Sequence, residues 1–327
     1  MWWILPHDRS FQAQHWRIYT YASAFDIKVL ADIPQPARDM LLVSNSFLIL
    51  NFNFLRFSIS YHKPVAFIIF ATLIRYSIMR SIFIKEINSF FSSIVGYVAM
   101  LVFLIACGLF LWIIPQYSIL GYGYASLDRF FEMAPWLLLL LVPAVTMRSF
   151  SDEYRTGTIE WLSTKPVTDL DIILGKYLAT LALIVFALVP TFIYIYTINN
   201  LSFPDVSIDT AAIIGSYIGL FFLAATFGAV GIFCSSLTGN QVVGFLISLL
   251  ACYLLFTGFE QLSRLPKFTE GVDYYLSMIG MEFHYTSISR GLIDSRDVVY
   301  FLSVIILFIA LTRYSLNSRT KGLGRMG

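Results

Sequence analysis

The chain has few charged residues and few residues of the kinds that carry chemistry. Only 13% of its 327 residues are Asp, Glu, Lys or Arg, whereas 58% are hydrophobic, and the formal net charge is +2. No basic segment interleaved with aromatic residues occurs, so we expect no nucleic-acid partner. The only cysteines are Cys107, Cys234 and Cys252. They stand far apart in apolar segments, which predicts small packing residues rather than a metal site.

Sequence signatures of enzymes are also absent. There is no HExxH, no GxSxG and no pair of carboxylates inside an apolar segment. Gly175 and Lys176 resemble the end of a phosphate-binding loop, but Leu170 stands where that loop needs Gly and Tyr177 where it needs Ser or Thr. We therefore expect no catalytic, cofactor-binding or metal-binding residue in this chain. Any ATP hydrolysis that it uses must come from another polypeptide.

What the chain does contain is six long segments without Asp, Glu, Lys or Arg. A helix needs roughly 20 apolar residues to cross about 30 Å of hydrocarbon, so the second and sixth segments must take in flanking residues. Because lipid offers no partner to the backbone and the segments do not alternate polar with apolar residues, they are predicted to be helices. The sequence predicts an all-α polytopic membrane protein with six transmembrane helices. The six segments are residues 96–115, 133–147, 177–198, 211–237, 241–259 and 298–312.

The first 78 residues differ from the rest. They show no steady helical periodicity, and their best apolar run, residues 65–74, is too short to cross a membrane. Three interpretations are open for residues 1–78: a poorly structured extension, an added interfacial helix, or a coding sequence that truly starts at Met79. We favour the last. Residues 79–320 then form the six-helix domain, and residues 321–327 form a basic tail.

The distribution of positive charge predicts the orientation. The connection 148–176 carries Arg148, Arg155, Lys165 and Lys176, whereas the loops 116–132 and 199–210 carry mainly acidic residues. The positive-inside rule therefore places this connection and both termini in the cytoplasm, with the spans in a bacterial inner membrane. The long loop 260–297 contains charges of both signs and is expected on the outer side.

A short amphipathic helix is predicted directly before the first span. Its apolar residues recur at helical spacing, while Lys85, Glu86 and several serines lie off that stripe. This pattern is typical of a helix lying flat in the headgroup layer. The alternative is a helix that packs on a protein core. The apolar residues are Phe83, Ile87, Phe90, Phe91 and Ile94.

The connection between the second and third spans is predicted to be a compact, charged helical hairpin. Ser151, followed by Asp152 and Glu153, is a plausible helix start, and Gly157 breaks that helix. Thr158 can cap a second short helix, which ends before Pro166 because a residue that precedes proline avoids the α region. Thr168 is a further cap candidate, at the start of the helix that becomes the third span.

Glycine spacing in the fourth span predicts close helix packing. Gly215 with Gly219, and Ala224 with Gly228, place small residues on common faces at which another helix can approach. We favour packing within the chain over a dimer seam. His284 in the outer loop is expected to be a surface or packed residue rather than a metal ligand.

These features together resemble the permease subunits of type-2 ABC exporters. The most specific element is Arg-Thr-Gly-Thr-Ile-Glu at residues 155–160, followed by Lys165-Pro166. Gly-Lys-Tyr at residues 175–177 and Ser-Arg-Gly-Leu-Ile-Asp at residues 289–294 also match. The resemblance covers residues 79 to about 320. Within the family, the chain is most similar to gliding-motility-associated permeases.

The resemblance implies a role for three regions. The entry helix resembles the family's interfacial elbow, with Lys85, Glu86, Phe90 and Phe91 as its marked residues. The outer loop resembles a re-entrant segment before the last span, marked by Phe283, Tyr285, Arg290 and Gly291. The hairpin resembles the cytoplasmic coupling helix, which docks on an ATP-binding subunit. The expected coupling residues are Glu153, Arg155, Thr156, Gly157, Thr158, Glu160, Lys165 and Pro166.

The implied assembly contains two ATP-binding subunits, which hold ATP and Mg²⁺, and a second permease that is either identical or related. Two other functions remain open. A secondary carrier would be driven by an ion gradient, although the spans lack the ionisable residues at mid-depth that such carriers usually have. A non-transporting membrane scaffold would use the same hairpin to regulate a machine such as the one that drives gliding.

Overall fold

A computed structural model describes residues 79–119, 126–158, 168–201, 209–265, 272–291 and 294–323. Within these ranges every regular element is a helix, which confirms the all-α prediction. Residues 1–78, for which three interpretations were open, lie outside the described residues. So do the second half of the predicted hairpin, residues 159–167, and the end of the tail, residues 324–327.

Twelve helices can be numbered along the described chain. Two irregular turns interrupt the long ones: a 3-10 turn, Val189–Phe192, precedes α6, and a π-helical turn, Leu254–Gly258, precedes α9. The helices are α1 (79–91), α2 (Ile94–Trp112), α3 (Asp128–Thr146), α4 (Ser151–Thr156), α5 (Asp169–Leu188), α6 (Ile193–Leu201), α7 (Thr210–Leu237), α8 (Gln241–Tyr253), α9 (Phe259–Ser263), α10 (Val272–Ser277), α11 (Met281–Ser289) and α12 (Ser295–Leu323).

Six of these helical segments are long and apolar enough to cross a membrane, as predicted. They are α2, α3 continued by α4, α5 continued by α6, α7, α8 continued by α9, and α12 as far as Ser318. The second and sixth uncharged segments, which are too short to cross a membrane by themselves, are extended by flanking residues, because α3 begins at Asp128 and α12 at Ser295. Their charged residues lie towards the ends, where a polar side chain can reach the headgroup layer.

Helix α7 is the centre of the bundle. Of its most apolar 18 residues, 78% are buried, against 28% for α2 and 22% for α12. It packs against α3, α5, α8, α11 and α12. Around it, α2 keeps an exposed apolar stripe in which each residue is more than half exposed. That stripe comprises Ile94, Val98, Leu101 and Ile105.

Small residues let neighbouring helices approach α7 closely. A Cβ built on Gly231 would lie 2.8 Å from Thr146 Cβ of α3, and one built on Gly215 would lie 2.8 Å from the Cα of Gly291. A Cβ on Gly228 would be 3.4 Å from Thr180 Cγ2 of α5. The predicted small-residue faces thus serve packing within the chain. The three cysteines are free and buried, as expected of packing residues.

The bundle has two distinct ends. Helices α1 and α4 and the start of α5 meet at one end, called here the hairpin end, beside the C-terminal end of α7. Helices α10 and α11 lie at the other end, called here the loop end, beside the first turns of α3 and α7. On α7, Ser235 at the hairpin end and Ser216 at the loop end are separated by roughly 28 Å, at about 1.5 Å per residue.

Candidate functional site

The hairpin end is held together by a buried lysine. Lys176, in the second turn of α5, is only 2% exposed. Its Nζ donates to Glu86 Oε1 of α1 at 2.7 Å, to Glu153 Oε1 of α4 at 3.0 Å and to the Ser149 carbonyl at 2.5 Å. An ammonium has three N–H donors, so all three are satisfied. The same Nζ lies 4.9 Å from the centre of the Phe150 ring, a cation–π contact.

A second lysine completes the charge balance. Lys85 Nζ donates to Glu153 Oε1 at 2.8 Å, so two ammonium groups meet two carboxylates in one cluster. Burial lowers the pKa of Lys85, but the hydrogen bond and the charge attraction of Glu153 outweigh it, and the pKa is raised. The side chain of Lys85 is 57% exposed, whereas that of Lys176 is 1% exposed. The Lys176 cluster, defined as Lys85, Glu86, Glu153 and Lys176, is therefore anchored by its buried lysine.

Close backbone packing brings α1 to this place. A Cβ on Gly175 would lie 3.0 Å from Cγ2 of Ile82, so the glycine lets α1 cross α5 at short range. Ile82 is itself buried. Phe91, further along α1, packs edge-on against Phe186 of α5 at 5.4 Å between ring centres. Phe90 and Phe91 therefore sit against the helical core and take no part in the Lys176 cluster.

The start of α4 is fixed by a residue from α7. Ser235 Oγ accepts the backbone N–H groups of Phe150 and Ser151 at 3.0 and 3.2 Å and donates to the Met147 carbonyl at 3.1 Å. The helix begins at Ser151, as predicted. Phe150 stands in the cap position before it, and the Ser151 hydroxyl donates back to the Met147 carbonyl. The backbone N–H groups of Phe150 and Ser151, which have no acceptor within the helix, therefore find one 85 and 84 residues further along the chain. No local pattern reveals such a partner.

A second polar chain links three helix starts at the same end. The Arg148 guanidinium donates to Ser93 Oγ, just before α2, and to Gln241 Oε1 of α8 at 3.3 Å. The Gln241 amide in turn donates to Asp152 of α4. Thus α2, α4 and α8 share one hydrogen-bonded chain, and α4 is tied to its neighbours on two sides.

The exposed tip of α4 carries the remaining predicted residues. Gly157 ends the helix in the left-handed region at φ 69°, as its predicted role as a helix breaker requires. Arg155, Thr156, Gly157 and Thr158 are all exposed, and the hydroxyls of Thr156 and Thr158 lie 3.0 Å apart. Glu160, Lys165 and Pro166 lie outside the described residues.

The family resemblance implies that Glu153 contacts a partner, and that role stays a prediction. Its side chain is 9% exposed and turns inward to Lys176 and Lys85. Lys176 was not assigned to the site from sequence. The sequence does contain a hint, because Lys176 directly precedes the long apolar segment 177–198. A lysine at that place needs a hydrogen-bonding or charged partner once its helix packs and buries it. The predicted cap Thr168 does accept the N–H of Asp171, at 3.4 Å.

At the loop end, Tyr285 of α11 replaces a missing backbone hydrogen bond. Pro135 has no N–H, so the carbonyl four residues earlier in α3, that of Phe131, lacks its helical donor. The Tyr285 hydroxyl donates to that carbonyl at 2.7 Å. Tyr285 is 5% exposed, lines the wall of a cleft at this end, and fixes α11 on α3 through this hydrogen bond.

Two further contacts hold α11 in place. Ser216 Oγ of α7 donates to the Ser289 carbonyl at 2.9 Å, next to the close approach of Gly215 and Gly291. Gly291 has φ 83°, which favours glycine. His284 is packed, as expected, between Asp297 at 2.7 Å and the Met278 carbonyl at 2.8 Å. Of the marked loop residues, Phe283 and Arg290 line open clefts.

Comparison with known proteins gives one family. The model of the family described as ABC-2 family transporter protein matches residues 136–319, which include α4, Lys176 and α11. No curated protein matches the chain.

Removing Lys176 tests the cluster. In Lys176→Met, Glu86 and Glu153 face each other without their buried cation, and breaking a buried ion pair on one side costs about 3–5 kcal/mol. We expect that loss in the free energy of unfolding, measured by titration with sodium dodecyl sulfate in mixed micelles. Lys85→Met, at an exposed position, should cost no more than about 1 kcal/mol.

The matched control removes the charges together. Lys176→Met combined with Glu86→Gln and Glu153→Gln leaves no buried uncompensated charge and should recover most of the loss. A triple variant no more stable than Lys176→Met would contradict the account of the cluster.

Tyr285 and Pro135 form a second testable pair. Tyr285→Phe leaves the Phe131 carbonyl buried without a donor, which should cost about 1–3 kcal/mol of unfolding free energy in the same titration. In a Pro135→Ala background the alanine N–H supplies the bond, so the same Tyr285→Phe change should then cost much less. An equal cost in both backgrounds would show that the hydroxyl does not stand in for the missing backbone donor.

Proposed function

The chain belongs to the ABC-2 family of transporter proteins, and on that premise we propose that it is the membrane-spanning permease subunit of an ATP-driven exporter. The six apolar helices agree with a membrane component that does not itself hydrolyse ATP. A separate cytoplasmic ABC subunit then holds ATP and Mg²⁺. The motif at residues 155–160 with Lys165-Pro166 supports a type-2 ABC permease. Within that family we propose the gliding-motility group, to which the sequence of residues 79–320 is most similar.

The observation that best supports coupling is the Lys176 cluster. Helix α4 is short and carries exposed residues at its tip. Its Glu153 forms a buried ion pair with Lys176 of α5 and a second pair with the more exposed Lys85 of α1, and Ser235 joins its first turn to α7. A partner that moves the tip therefore moves these helices together. In the proposed mechanism, closure of the ATP-binding subunits pushes α4, and the ion cluster transmits that push to the spans.

Which side of the membrane the hairpin faces follows from charge. Arg148, Arg155 and Lys176 lie at the hairpin end, and the positive-inside rule supports a cytoplasmic position for that end and for both termini. We propose that the membrane is a bacterial inner membrane. The loop end then faces outward. The exposed apolar stripe of α2 is available to lipid or to a second permease, identical or related, in a complex with two ATP-binding subunits.

The coupling role predicts the effect of two changes at the α4 tip. Gly157→Pro is incompatible with φ 69°. Arg155→Glu reverses the charge of a side chain that is 68% exposed. Both should reduce co-purification of the ATP-binding subunit with the tagged chain at least about tenfold, a loss of about 1.4 kcal/mol. The amount of permease in the membrane should stay unchanged.

The matched control is Arg264→Glu, an exposed arginine in the turn after α9, at the loop end, whose 64% exposure is similar. It should leave co-purification intact. Unchanged co-purification in both α4 variants would refute the coupling role. If the complex forms but no added compound stimulates its ATP hydrolysis, the scaffold is favoured. If the chain transports a compound without any ATP-binding subunit, the secondary carrier is favoured.

A further inference from the structure

A cleft opens at the loop end between α3, α7, α11 and the π-helical turn. Its volume is about 660 Å³, within the range of sites that hold small molecules, roughly 300–1,000 Å³. It lies at the far end of α7 from the Lys176 cluster and shares no residue with it. The lining residues used below are Trp136, Phe256, Asp128, Glu132, Glu282 and Arg290.

One wall of the cleft is aromatic. Trp136 is 46% exposed, and its ring packs edge-on against Phe256 at 5.8 Å between ring centres. Phe256 belongs to the π-helical turn Leu254–Gly258, and such turns within α-helices are frequent at functional sites. Pro135, next to Trp136, also lines the cleft. Two backbone irregularities, Pro135 and the π-helical turn, thus lie in this wall beside the half-exposed Trp136 ring.

Acidic residues also line the cleft. Glu282 of α11 lines this cleft and a neighbouring one of about 440 Å³, and its Oε2 is buried without a hydrogen-bond partner among the described residues. Glu132 already accepts Arg129 at 2.8 Å, and Glu260 is paired with Arg264 at 3.2 Å. Burial raises the pKa of Glu282, and repulsion by Glu260 raises it further, against a smaller opposing effect of Arg264. Glu282 is therefore a partly buried acid that forms no ion pair among the described residues, although Arg264 and Arg290 line the neighbouring cleft with it.

We propose that this cleft binds an amphiphilic organic cation, with its apolar body on Trp136 and Phe256 and its positive charge beside Glu282. Aromatic faces attract cations through the ring quadrupole, and a carboxylate with a free oxygen supplies the opposite charge. Arg290, the basic residue among those that line the described cleft, is exposed, so it keeps its own hydration. Binding needs no nucleotide and no ATP-binding subunit, so it is separable from the coupling proposed above.

The probe is tetraphenylphosphonium, measured by equilibrium binding to the full chain in lipid nanodiscs. Glu282→Gln and Trp136→Leu should each weaken binding roughly tenfold. Asp273→Asn removes an acid from α10, which lines neither cleft, and should leave affinity unchanged. Because the same lipid is present in every sample, partitioning of the probe into the bilayer cancels between variants.

Charge and pH give an independent readout. Tetraphenylborate has nearly the same shape and the opposite charge, so Glu282→Gln should not weaken its binding. For the phosphonium, affinity should fall as the pH is lowered through the raised pKa of Glu282, and Glu282→Gln should flatten that profile. If neither Glu282→Gln nor Trp136→Leu changes phosphonium affinity, the site is wrong. If Glu282→Gln weakens both probes equally, the cleft does not select cations.

Discussion

The ammonium group of Lys176 sets the constraint on which the hairpin end depends. A lysine that is only 2% exposed must replace every hydrogen bond that water would give it. It does so with carboxylates from two other helices and one backbone carbonyl. Each partner of Lys176 comes from a different segment of the chain. Separating α1, α4 and α5 would therefore leave a buried charge without its counter-charge. A short charged helix thereby becomes part of a rigid body that includes a membrane-spanning helix.

The central helix α7 connects this body with the loop end. Near its C-terminal end, Ser235 accepts hydrogen bonds from the backbone at the start of α4. Near its N-terminal end, Ser216 donates a hydrogen bond to the last residue of α11. Glycines at 215 and 231 bring α11 and α3 close at the two ends. Tyr285 adds a link between α11 and α3 at the carbonyl that Pro135 leaves free. Helix α7 therefore contacts both α4 and the proposed cation cleft.

Sequence reasoning succeeded where the signal is local. The six spans follow from runs without charge, the end of α4 from Gly157, and the start of α5 from Thr168. It did not find Ser235 as the partner of the α4 backbone, nor Tyr285 as the donor for Phe131. Those contacts join residues 85 and 154 positions apart, and no periodicity or spacing encodes them. The inward direction of Glu153 could not be predicted either, because it depends on where α5 places Lys176.

The most direct test of the account asks which side of the membrane the α4 tip faces and whether a partner covers it. The three native cysteines are buried, so a single Thr156→Cys change provides one exposed thiol for a membrane-impermeant maleimide. The account predicts no labelling in intact cells, labelling after permeabilisation, and protection when the ATP-binding subunit is bound. Labelling of the introduced thiol from outside intact cells would contradict it.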